Sequence, residues 1–100
     1  MELAQFRDSL YDAAPPQGAG SLLRALWHDA KGQWARAHEI VQEEDGRDAA
    51  RVHAYLHRKE GDLPNAGYWY RRAGLPACES PLEDEWERIA SALLSAANGI

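Results

Sequence analysis

Slid against itself by 29 positions, the chain aligns two of its own stretches, "LRALWHDAKGQWARAHEIV" from Leu23 and "VHAYLHRKEGDLPNAGYWY" from Val52. Ala25 falls on Ala54, His28 on His57, Gly32 on Gly61 and Ala37 on Ala66. The larger apolar positions follow: Leu23 with Val52, Leu26 with Tyr55, Trp27 with Leu56, Trp34 with Leu63, Ile40 with Trp69 and Val41 with Tyr70. A match at this period means one supersecondary unit used twice, with each copy burying its apolar face against the other. That requirement narrows the fold more than any other feature of the sequence.

The unit reads as a helical hairpin. Apolar residues recur three and four apart along Leu22, Leu23, Leu26, Trp27 and Ala30, stop at Gly32, and resume along Trp34, Ala37, Ile40 and Val41. This predicts hairpin 1 over residues 21–45, fading in the polar run from Glu43 to Gly46. Hairpin 2, residues 46–74, carries Ala49, Val52, Tyr55 and Leu56, turns at Gly61, and continues through Ala66, Trp69, Tyr70 and Ala73 to Gly74. Asp45 with Asp48 suggests a cap for its first helix, and Asp62 a cap for its second, with Pro64 in the tolerant first turn. Before the repeat, Leu3, Phe6 and Leu10 predict a helix from Glu2 to Ala14, closed by Pro15-Pro16, with residues 1–20 as helix and connector. After it, Ser80-Pro81-Leu82-Glu83 reads as a capping box opening a last helix within residues 80–97, with Leu82, Trp86, Ile89, Ala90 and Leu93 on one side. Valine and isoleucine are scarce and threonine is absent, which also disfavours strands. The expectation is one all-α domain of about six helices over residues 1–100.

Ala54, Gly61-Asp62, Ala66, Tyr70 and Ala73 are spaced like the small and aromatic signature residues of a tetratricopeptide repeat, and Ala25, Gly32 and Ala37 repeat part of that pattern. From about Leu22 to Ala73 the chain therefore resembles a short, divergent member of that class. The period is shorter than the usual 34, and Ser21, Arg24, Ala50 and His53 stand where large apolar residues are expected. The resemblance implies a right-handed array of antiparallel helical hairpins, in which the first helices line a concave surface that faces a ligand. The first and last helices would serve as its caps.

Composition excludes several classes. The formal charge of −5 repels phosphate backbones and anionic membranes, so neither nucleic acid nor membrane is an expected partner. "YWYRR", Tyr68 to Arg72, mixes aromatic and basic residues, but helical spacing turns most of it inward. Cys78 is the sole cysteine, so no internal disulfide forms, and it reads as an inert loop thiol. The amino-terminal stretch lacks the basic start and apolar block of a signal peptide, and a cytoplasmic protein is the expectation. Glu83-Asp84-Glu85 reads as a solvated run that favours a helix start. No serine sits in a nucleophile elbow and no glycine-rich phosphate loop occurs, so no catalytic residue, enzyme activity or cofactor is assigned.

The chemistry concentrates on one polar edge: Arg24, His28, His53, His57 and Arg58. By the resemblance, this edge lines a groove for an acidic peptide or carboxylate, which makes the chain a small interaction or scaffolding module for a protein partner. His53 and His57, four apart, share one side of their helix. With His28 from the matching hairpin position, the three are an alternative set of metal ligands, although no His-Glu-x-x-His pattern or nearby cysteine accompanies them. A packing role for His28 and His57, copied with the repeat, is a further reading. Self-association into a homodimer is another.

Overall fold

The computed structural model describes residues 1–98, and three of its helices are closed by a glycine at which the backbone leaves the right-handed region. Gly32 (φ 80°), Gly61 (φ 89°) and Gly74 (φ 74°) adopt the left-handed conformation that side chains resist. At the first two the copies match bond for bond. Gln33 N–H donates to His28 C=O at 2.9 Å and Asp62 N–H donates to His57 C=O at 3.0 Å, the six-to-one bond of a Schellman ending. The 29-residue repeat is thus a repeat of backbone geometry.

The described residues form six α-helices and no strand: α1 (Leu3–Asp8), α2 (Ser21–Ala30), α3 (Trp34–Gln42), α4 (Arg47–Glu60), α5 (Leu63–Ala73) and α6 (Leu82–Ala97). α2 packs on α3 and α4 on α5 across short turns, as helical hairpins do, while α6 touches α1, α2 and α4. None of these helices is long and apolar enough to cross a membrane.

Small residues set the spacing inside each hairpin. Ala25 and Ala37 are completely buried in the first, and Ala54 and Ala66 meet Tyr70 in the second; with only a methyl group at the crossing, two helix axes approach closely. The main core forms where the hairpins meet α1 and α6, around Phe6, Leu26, Trp27, Leu56 and Ile89. Three indoles lock it by donating to other elements: Trp27 Nε1 to Ser9 C=O (3.1 Å), Trp34 Nε1 to Leu56 C=O (2.8 Å) and Trp86 Nε1 to Leu26 C=O (3.0 Å). A buried N–H without a partner costs ~1–3 kcal/mol, so these bonds help fix the register of the helices.

Three local expectations are corrected. The first helix ends at Asp8 and tightens into a 3-10 turn over Ser9–Tyr11, short of Ala14. The carbonyls that would have continued it serve α2 and its C-terminal turn instead: Ser9 C=O accepts from Trp27, and Leu10 and Asp12 C=O accept from Lys31 Nζ. The last helix begins at Leu82 with Pro81, in extended conformation, as its N-cap, and no side chain caps it. Ser80 turns its carbonyl to the Arg58 guanidinium, which holds the residue outside the helix, so the capping box does not form. α4 starts at Gly46 (φ 100°), again without a side-chain cap; Asp45 does not supply one. Asp62 does cap α5, accepting from Asn65 N–H at 3.2 Å.

Candidate metal centre

The two histidines of α4 stand four residues apart and therefore point to the same side, toward α3. His53 is 7% exposed and His57 6%. The ring that meets them comes from α3 and belongs to His38, whose Nε2 lies 3.1 Å from Nε2 of His53. One ring nitrogen from each of His38, His53 and His57 lies within 4.8 Å of the others. Two imidazole nitrogens on one tetrahedral ion, each ~2.0–2.1 Å from it, stand roughly 3.3 Å apart, so the His38–His53 pair already has that spacing.

Aromatic rings wall the cluster. Trp34, one turn before His38 on α3, stacks on it at 4.9 Å with the planes 9° apart, and Trp69 of α5 stacks on His53 at 3.9 Å and 10°. His53 and His57 stack on each other at 4.9 Å. Removing imidazoles from water favours their uncharged form. Burial is the main reason the pKa of His53 falls to about 4, with His57 and His38 adding like-charge repulsion. His38 is lowered too, by burial first and His57 second. Near neutral pH both rings are therefore uncharged, the form in which imidazole ligates metals.

The third ring is oriented from outside. His57 Nδ1 lies 2.6 Å from Glu60 Oε1, one turn further along α4. A carboxylate accepts only, so Nδ1 is the donor to Glu60, and in the neutral ring that tautomer leaves the Nε2 lone pair free. A carboxylate holding the far nitrogen of a ligating histidine is a common outer-shell arrangement in metal sites.

The five residues of the proposed groove are distributed over separate places. Arg24 is exposed, with Ser21 Oγ 3.4 Å from its guanidinium. His28 is half-buried and its Nδ1 pairs with Gln33 Oε1 at 2.6 Å; it is not among the three clustered histidines. Arg58 is largely buried and forms an ion pair with Glu85 at 2.8 Å. His53 and His57 alone come together, and they do so with His38. The single signal for His38 in the sequence is its spacing four residues after Trp34; its repeat counterpart is Gly67, so the alignment passes over it.

Glu85 also escaped the sequence reading, in which it belonged to a solvated acidic run. It is 3% exposed and accepts from Tyr70 Oη at 2.6 Å as well as from Arg58. Burial, then the bond to Glu85, raises the Tyr70 pKa well above the ordinary phenol range. Asp29, likewise buried, is held by Lys59 Nζ at 3.1 Å. Both carboxylates tie one helix to another, with their partners spoken for inside the fold. No family model, curated protein or solved structure matches the chain.

Proposed function

We propose that this protein binds one divalent transition-metal ion through His38, His53 and His57. The observation that carries the reading is the convergence of three imidazoles from two helices, with two Nε2 atoms at ligand spacing and Glu60 holding the third ring by its far nitrogen. Neutral nitrogen donors favour copper, zinc or nickel over magnesium or calcium, which prefer oxygen. Within the cluster, three side chains fill three positions of a tetrahedral ion. The fourth is left for water or an outside ligand, as in sites where the metal meets a small molecule.

Elemental analysis and calorimetric titration of untagged protein with zinc, nickel and copper test this directly. The expected result is close to one ion per chain. Glu60→Gln should weaken the affinity ~10-fold or more, because the His57 ring loses its charged anchor while the ion keeps its three donors. Less than ~0.1 ion per chain after purification without chelator, together with no heat on titration, would overturn the reading.

A further inference from the structure

Beside the metal centre, and on the other side of His53, the start of α4 opens into a cavity of about 510 Å3. His53 and Trp69 form part of its wall, together with Arg47, Arg72, Glu44 and Asp45. Three features of this cavity point to a ligand.

The first is the end of α4 itself. No side chain caps this 14-residue helix, so the amides of its first turn point outward without an intrahelical partner and carry the positive end of the helix dipole. The second is independent of the helix end and concerns His53. Its side chain is more than nine-tenths buried, and its Nε2 is taken by His38. Its Nδ1 has no hydrogen-bond partner among the described residues, where no fully buried side-chain nitrogen or oxygen lacks one. Nδ1 is therefore open to the cavity that His53 lines. The third is charge. Arg72 lies over the face of Trp69, 5.5 Å from its centre, and neither Arg47 nor Arg72 forms an ion pair among the described residues. Glu44 and Asp45 on the same wall are also without cationic partners there.

A simple anion would suffer from the two carboxylates, and a simple cation from the guanidinium groups and the helix end. A small molecule carrying both charges suits the mixed lining. We propose that this cavity is a binding site for a free α-amino acid or an equally small zwitterion. Its carboxylate is received by the α4 amides, Arg72 and His53 Nδ1–H, and its ammonium group by Glu44 or Asp45. His53 then belongs to two sites. An ion on Nε2 requires the ring proton to sit on Nδ1, where it serves the carboxylate, so metal and zwitterion strengthen each other's binding. This coupling rests on the metal reading; the cavity and its charges do not.

The test is a titration of glycine into the zinc-free and zinc-loaded protein, followed by the amide signals of Gly46, Ala49 and Ala50 and the indole signal of Trp69. Acetate and methylammonium, which carry one charge each, are titrated in parallel. Saturable shifts with glycine, tighter in the zinc-loaded protein and weakened ~10-fold by the exposed substitution Arg72→Gln, are the expected result. The absence of saturable shifts in both forms overturns the proposal. So does acetate binding as tightly as glycine, or unchanged binding in Arg72→Gln. Zinc stoichiometry on the same samples keeps the two readings apart. One bound zinc without a glycine response sinks the amino-acid site alone, whereas a glycine response without bound zinc supports the cavity and sinks the metal centre with its coupling.

Discussion

The two hairpins share a backbone and differ in chemistry. Both turn on a left-handed glycine, both close with the same six-to-one bond, and both bury an alanine pair where their helices cross. At the end of each first helix a histidine carbonyl accepts that closing bond. His28 in hairpin 1 is half-buried and pairs with an amide, Gln33; His57 in hairpin 2 is buried among aromatic rings and pairs with a carboxylate, Glu60. One turn earlier, Arg24 reaches solvent where its counterpart His53 packs under Trp69. A repeat therefore preserves the turn and the close approach of two helices, while the use of a side chain depends on what the neighbouring helix places against it. Hairpin 2 has α3 beside its first helix, and α3 brings His38.

The strongest way to break the comparison is to remove the matched histidines one at a time. His57→Ala should lower zinc affinity by at least ~100-fold, since an ion with two donors left is weakly held, whereas His28→Ala should leave it unchanged. Equal losses in calorimetric titration would return His28 to the site.

Acid should single out hairpin 2 as the weaker point. The pKa of His53 drops from an ordinary 6.5 to about 4 in the folded protein. Between these values the unfolded chain takes up a proton that the folded one refuses, so stability is full above about pH 6.5 and falls as the pH moves toward about 4. The loss expected from His53 is ~3 kcal/mol, with His38 adding in the same direction. Urea melts of metal-free protein at several pH values measure it, and His53→Gln should flatten the curve. A slope unaffected by that substitution would show that His53 is not its source.

The smallest effect tests what the hairpins have in common. Gly32→Ala and Gly61→Ala each place a methyl group on a left-handed residue with open space around it, so the cost is backbone strain alone, about 1 kcal/mol in each case. Thermal melts should give two losses equal within ~0.5 kcal/mol. A much larger loss at one glycine would mean that its turn does more than reverse the chain.

Much of this architecture was legible because it depends on residues near one another in sequence. The boundaries of α2 to α5 follow from apolar spacing, from Gly32, Gly61 and Gly74, and from Asp62 with Pro64. Local signals failed where a distant residue competed for the same group. Ser80 looked like a cap until Arg58 took its carbonyl, and the first helix lost its last turn to Trp27 and Lys31. Glu85 looked solvated because its own neighbours are acidic, but burial there is set by Arg58 and Tyr70 from α4 and α5.

The site divides along the same line. That His53 and His57 share a helix side is a consequence of helical pitch, and the sequence alone determined it. It also determined the duplicated hairpin and the all-helical class, both products of short-range periodicity. Which third histidine joins them was decided by tertiary structure. His28 occupies the equivalent place in the repeat, but equivalence in sequence carries no information about distance in space. α3 packs against α4 and brings His38 to 3.1 Å from His53, because helices meet through whichever side chains their crossing leaves face to face.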